Sequence, residues 1–336
     1  MRAKLGILVA AAAIAAAPLA AGAEPMPLKF ANPGVPQGAV AIRIITPLVE
    51  QLNRLGDGAI EVKLFTGPTL ANYGNVFDRV VNGVADLAFG LLGPTSSQFP
   101  KSTVTALPFE TPNGEVGSVA MWRLLQAGVI ADEWTRVKPL ALMVFPNVGL
   151  HSRKPIVTMA DMRGTKLSAQ TRPTGESIER LGGVPITMPV SELYQSLQRG
   201  MIEAATIGWP AASAYKLPEV SNYHVQVPLG SELTYLIMNN DSYAKLPEKG
   251  RTAVDTTIGE AYARKLGEIL DRVDDEESAK AAARPGQTVT KLAPAEAAAW
   301  KARVAPVTEG WVKATPDGAR VLAAYRGEVA RIAAAK

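Results

Sequence analysis

The stretch Gly183-Val184-Pro185-Ile186-Thr187-Met188-Pro189-Val190-Ser191-Glu192-Leu193-Tyr194-Gln195-Ser196-Leu197-Gln198-Arg199-Gly200-Met201-Ile202-Glu203 decides how this chain is read. Ser191 is a helix-capping residue placed immediately before 192–199, where Leu193, Tyr194 and Leu197 share one face and Gly200 ends the run. On its far side, 204–208 (Ala-Ala-Thr-Ile-Gly) is a short apolar strand. On its near side, 166–170 is strand-like and 174–181 helical, and Thr158 with Asp161 forms a capping box on a short helix before them. Strand and helix alternate, which is the pattern of an α/β fold.

The alternation extends to the start of the chain. Leu28-Lys29-Phe30 is a short strand entering the loop Asn32-Pro33-Gly34. Residues 39–55 form a helix with Ile42, Ile45, Leu48, Val49, Leu52 and Leu55 on one face, and Pro47 inside it marks a kink or a late start. Further strands fall at 60–64, 85–92 and 140–145, with helices at 73–82 and 115–127 between them. After 204–208 only one more strand, 233–239, is evident. From Pro247 onward the chain is mostly helical, with Ile258, Ala261, Tyr262, Leu266, Ile269 and Val273 at helical spacing. The charged run 271–277 reads as a solvated continuation of that helix, interrupted at Pro285-Gly286. No internal repeat is present.

Composition narrows the function classes. Arg2 and Lys4 precede an almost unbroken apolar run from Leu5 to about Ala20, and Ala21-Gly22-Ala23 supplies small residues for cleavage. This is the pattern of an export signal over 1–23, too short for a bilayer-spanning helix. It implies a mature chain that begins at Glu24, is soluble after cleavage near Ala23 and resides in the periplasm. The leader holds two bases and no acid, so the 35 Lys and Arg become 33 against 31 Asp and Glu. A near-neutral chain without a basic tract has no electrostatic footprint for nucleic acid. The absence of cysteine excludes disulfides, thiol catalysis and thiolate metal sites.

Motifs for catalysis are missing. His151 and His224 are the only histidines, lie far apart in sequence and lack metal-ligand spacing, which makes them loop or surface residues in this reading. No phosphate-binding glycine loop or nucleophile elbow occurs. The acids of 271–277 lack the glycine and ligand alternation of a calcium loop. A secreted enzyme on a two-lobed scaffold is therefore a minor reading.

The ordered series of segments resembles the DctP-like periplasmic solute-binding proteins of TRAP transporters. Besides 183–203, it consists of 28–30, 60–65, 81–90 (Val-Asn-Gly-Val-Ala-Asp-Leu-Ala-Phe-Gly), 106–109 (Ala-Leu-Pro-Phe), 159–167 (Met-Ala-Asp-Met-Arg-Gly-Thr-Lys-Leu), 238–240 and 246–247. The resemblance covers nearly the whole mature chain. It implies an α/β, two-lobed (type II-like) binding protein with a ligand cleft between the lobes and long C-terminal helices. Lobe I would be 24–147, with 234–270 returning to it. Lobe II would be 148–233, with 271–336 packed on or between the lobes. It also implies a monomer without a cofactor, which closes on a small organic acid and delivers it to the membrane permease subunits. A second reading, a sensor or adaptor presenting its ligand to a signalling receptor, shares the same fold.

Two departures from the family pattern bear on the ligand. The arginine that clamps a carboxylate in such proteins follows the Gly-x-Lys-Leu strand, and here that position is Ser168. A serine offers no bidentate fork. Arg172 is the nearest replacement, either at the pocket edge or as an exposed helix-start residue. The polar segment after Glu203, whose asparagine reaches the ligand in relatives, is replaced by Ala-Ala-Thr-Ile-Gly-Trp-Pro. Trp209 then reads as an aromatic cleft wall or as a core or hinge residue. Phe89 and Leu91 at a first-lobe strand end, Phe145 and Asn147 at the crossover, and Asn32 after the first strand complete the candidate set. Loss of the arginine and gain of apolar surface shift the expectation toward an aromatic or hydrophobic monocarboxylate.

Overall fold

The computed structural model describes residues 24–335; the leader expected at 1–23 lies outside the described residues. One continuous mixed sheet runs through the molecule in the order β2-β1-β3-β8-β4-β7-β5-β6, with β9 added beside β8. The first part is β1 (Met26–Asn32), β2 (Ile60–Thr66) and β3 (Leu87–Leu91), with β1 parallel to both neighbours. The second part is β5 (Lys166–Ala169), β6 (Val184–Thr187) and β7 (Ala204–Ile207), again parallel about β5.

Two long antiparallel strands join the parts: β4 (Lys138–Ser152) and β8 (Tyr223–Met238). Sequence pattern alone marks only 140–145 and 233–239 as strands, because Pro146, Gly149, Pro228 and Gly230 look like terminators. The ladder continues past them by shifting register between Val144 and Asn147 and again between Asn147 and Gly149. Such irregularities accommodate a missing N–H and bend the strand. The pair therefore serves both parts of the sheet and turns between them, with β3 on its first-part end and β7 and β9 (Thr288–Lys291) on the other.

Helices cover both faces. In the first part, α1 (Thr46–Gly56), α9 (Glu248–Asp255) and the start of α10 (Glu260–Ala282) bury Leu48, Leu52, Val254 and Leu266 against Leu28, Phe30 and Leu236. The opposite face carries α2 (Val76–Val81) and α3 (Gly114–Gln126), together with Phe99 and Trp134. The second part has its own two apolar clusters, one around α5 (Arg172–Arg180), the other around α6 (Leu193–Gln198) and α7 (Trp209–Ala214). The short α4 (Met159–Met162) carries the expected Thr158–Asp161 capping box, and α8 (Asn240–Ala244) follows β8. α11 (Pro294–Ala314) buries Trp300 and Val304 in the second part, while α12 (Gly318–Ala334) buries Val321 and Tyr325 in the first. The chain thus crosses between the two parts repeatedly.

Local expectations fail at three places. The helix expected over 39–55 is present, but Pro47 does not mark its start: 39–40 are already helical and 41–45 form a π turn just before Pro47. That wider turn rotates Ile42 off the apolar stripe, leaving it 56% exposed, and Leu55 flanks the stripe at 43%. Ser191 makes no side-chain cap bond: 190–192 form a 3-10 turn and α6 begins at Leu193. The acids of 271–277 are not simply solvated, because Asp271 accepts the backbone N–H groups of Gly114 (2.6 Å) and Glu115 (2.9 Å), satisfying the start of α3.

Candidate functional site at the junction of the lobes

The junction is built where β4 and β8 change register. Asn147 lies opposite Ser231, and Gly230 adopts φ 110° with the Ala106 carbonyl where a Cβ would stand, 2.3 Å away. Only glycine fits there. On either side the two parts of the molecule touch. A Cβ on Gly93, after β3, would lie 3.0 Å from the Gln170 carbonyl after β5, and one on Gly38 would lie 3.4 Å from Ala214 of α7. Tyr73 from the first part and Tyr215 from the second approach one another across the junction.

Glu232 occupies the centre of this junction. Its Oε1 accepts the Gly93 N–H at 2.7 Å. The side chain is deeply surrounded by protein, yet part of its surface remains accessible. Tyr73, Tyr215, Leu91, Phe145 and Gln170 share that half-buried character. Burial pushes the Glu232 carboxyl up to about 7, partly offset by the backbone N–H groups of Gly93 and Leu92. Among the described residues no lysine or arginine forms a salt bridge with it. Nothing in the sequence pattern distinguished Glu232, because Gly-Ser-Glu-Leu reads as a turn entering a strand.

The residues singled out from sequence divide into two groups. Asn32 and Leu91 end β1 and β3, Phe89 lies within β3, and Phe145 and Asn147 lie in the middle of β4, where its pairing with β8 changes register. Asn32 holds Gly34 N–H through Oδ1 (3.1 Å) and leaves Nδ2 buried without a partner. Asn147 donates Nδ2 to the Thr111 carbonyl (2.8 Å) and leaves Oδ1 unpartnered. Gln170 adds a third unpartnered buried amide atom, Nε2. Phe89 is buried and packs edge-on to Tyr73, 6.4 Å between centroids.

Ser168, Arg172 and Trp209 are placed differently. Ser168 is fully buried, and its Oγ accepts the Thr206 N–H at 3.0 Å, pinning β5 to β7. Arg172 starts α5 with 78% of its side chain exposed and its Nε on Glu176 at 2.7 Å. Trp209 is 3% exposed and packs on His151 and His224 at 4.7 and 4.8 Å.

Those histidines are a correction. Each is 1% exposed, and they face one another across the ladder with Nδ1 atoms 2.8 Å apart. Residues 73 apart in sequence meet because β4 and β8 pair His151 with His224 directly. Burial, then the neighbouring His224, pushes the His151 imidazole down to about 3; burial also lowers His224, countered by Gln287. Asp274 of α10 accepts the Trp209 N–H at 3.1 Å, and burial pushes its carboxyl up to about 7. Among the described residues no group of three or more His, Cys, Asp or Glu side chains could hold a metal ion.

Two α/β parts built on a shared pair of long strands are the architecture of a two-lobed binding-protein fold. The comparisons agree. The chain belongs to family 7 of the bacterial extracellular solute-binding proteins, the DctP family of TRAP transport systems, whose profile matches residues 35–314. Members bind solutes and are not enzymes, and this chain is not an enzyme. It is 27% identical over 333 residues (96% of this chain, 97% of the relative) to the Comamonas testosteroni outer membrane transporter protein TsaT. It is 26% identical over 339 residues (97% and 98%) to the Rhodobacter capsulatus C4-dicarboxylate-binding periplasmic protein DctP. A TRAP solute-binding protein from Rhodoferax ferrireducens, solved with copurified benzoate, superposes with a TM-score of 0.86 at 26% identity, covering 91% of this chain and 98% of that one.

Proposed function

We propose that this chain is the periplasmic component of a TRAP transporter and captures a small aromatic or hydrophobic monocarboxylate between its lobes for delivery to the membrane permease subunits. The lobes divide at the β4–β8 register shifts, near 147–148 and 233–234, and ligand release requires that junction to open. The observation that carries the ligand class is the makeup of the junction. Leu91, Phe145 and the two tyrosines supply apolar and aromatic surface, backed by the buried Phe89, while Ser168 stands in place of a carboxylate-clamping arginine. A single carboxylate held by neutral amides needs less compensation than a dianion in such surroundings. The benzoate found with the Rhodoferax ferrireducens relative supports this reading. Among the described residues no helix is long and apolar enough to cross a membrane.

The test is calorimetry on the mature chain with benzoate, hydroxybenzoates, mandelate, succinate and malate. Micromolar or tighter binding of an aromatic acid, with succinate and malate at least about tenfold weaker, is expected, a gap of about 1.4 kcal/mol. Tight binding of a C4-dicarboxylate without response to aromatic acids refutes it.

A further inference from the structure

We propose that Glu232 is the specificity-determining group of this site, selecting monocarboxylates that also present a hydroxyl or ammonium hydrogen-bond donor. The proposal rests on the interlobe ligand site argued above and deepens it. Glu232 projects from β8 one residue beyond Ser231, where the strands change register, and is fixed by the Gly93 N–H at 2.7 Å. Gly93 in turn abuts the Gln170 carbonyl from the other lobe, so closure surrounds this carboxyl with both lobes.

The Gly93 N–H on Oε1, with the Leu92 N–H nearby but given to the Leu233 carbonyl, leaves much of the acceptor capacity of a carboxylate unused, since its two oxygens can take about four hydrogen bonds. No side-chain cation forms a salt bridge with it among the described residues. A half-accessible acid this deep is left with acceptor capacity that a bound ligand displacing water from the junction can satisfy. The surrounding amides have complementary needs. Gln170 Nε2 and Asn32 Nδ2 are buried donors without partners, suited to a ligand carboxylate in the absence of an arginine. The ligand thus offers an acceptor to the amides and a donor to Glu232. A second ligand carboxylate facing Glu232 meets like charge instead.

Three alternatives carry less. The open groove around Arg153, Lys154 and Glu203 has no feature that identifies an occupant. The His151–His224 pair is fully enclosed by Trp209, Gln287 and the Ile207 carbonyl, with no space for a ligand. The exposed Met201 and Val157 have nothing that says what covers them.

The experiment measures affinities of the mature chain and its Glu232→Gln and Glu232→Asp variants for benzoate, 3-hydroxybenzoate, 3-(aminomethyl)benzoate and isophthalate. The four share a ring and one carboxylate and differ in having no second group, a hydroxyl, an ammonium or a second carboxylate. The wild type is expected to prefer the better of the two donor ligands over benzoate by about tenfold or more, the scale of a hydrogen bond to a charged group, and to bind isophthalate most weakly. Which donor ligand leads separates hydroxyl from ammonium recognition. Glu232→Gln should reduce that preference to within about threefold and improve isophthalate binding, while Glu232→Asp should keep the order of the ligands. Melting temperatures of the free variants check folding; if the glutamine variant does not fold, the wild-type and Glu232→Asp ligand order decides. A wild-type preference that survives in Glu232→Gln, or a wild type that binds benzoate as tightly as both donor ligands, overturns the Glu232 assignment and leaves the interlobe site standing. Failure of all four compounds to bind the wild type overturns both.

Discussion

Replacing Asp274 by asparagine should stabilise this protein above neutral pH and do little in acid. The amide side chain retains an oxygen to accept the Trp209 N–H, now held at 3.1 Å, and removes only the charge. The wild-type carboxyl titrates near 3.8 unfolded and is pushed to about 7 when folded. A group whose folded pKa is raised contributes its full stability below the unfolded value and loses it as pH rises through the folded one. The interval corresponds to about 4 kcal/mol at most, reached above pH 7. His151 acts in the opposite sense: lowered from 6.5 to about 3, it contributes stability above pH 6.5 that is lost as pH falls. The two slopes oppose each other between about pH 4 and 6.5, each near 1.4 kcal/mol per pH unit, so the wild-type profile should be flatter than either. Urea denaturation of both proteins from about pH 4 to about pH 8 measures the difference. We expect the advantage of Asp274→Asn to grow by about 2–4 kcal/mol over that range. A variant less stable than wild type at the alkaline end, or a difference independent of pH, refutes the reasoning and makes Asp274 an ionised anchor of α7.

Two further predictions concern Arg172 and Gly230. Arg172→Ala should leave ligand affinity unchanged and stability within about 0.5 kcal/mol, because the side chain is exposed and its partner is one surface carboxylate; a tenfold loss in calorimetry returns Arg172 to the site. Gly230→Ala should destabilise by about 2–4 kcal/mol in urea denaturation, since its φ of 110° and the Ala106 carbonyl both exclude a Cβ; wild-type stability would show that the β8 bend relaxes freely.

The α/β class, most of the strands and helices, and the family were legible in the sequence because they are written in local patterns. Apolar residues alternating at 60–64 or spaced by three and four at 258–273 fix an element without reference to distant chain, and the ordered segments around 183–203 carry the family. The capping box at Thr158 and Asp161 was legible for the same reason: both partners lie within one turn. What tertiary structure alone decided depends on pairs far apart in the chain. His151 and His224 gave no signal singly and become a buried pair only through the β4–β8 register. Asp274 and Asp271 read as solvated charges until α10 places them against the starts of α7 and α3. Ser168 marked a missing arginine, but its bond to the Thr206 N–H exists only between β5 and β7. Glu232 is the extreme case. A glutamate in Gly-Ser-Glu-Leu is ordinary as text, and it becomes a deep, half-accessible acid only because two lobes assembled from interleaved segments close around it. Periodicity encodes which face of an element is buried; it does not encode which distant element arrives there.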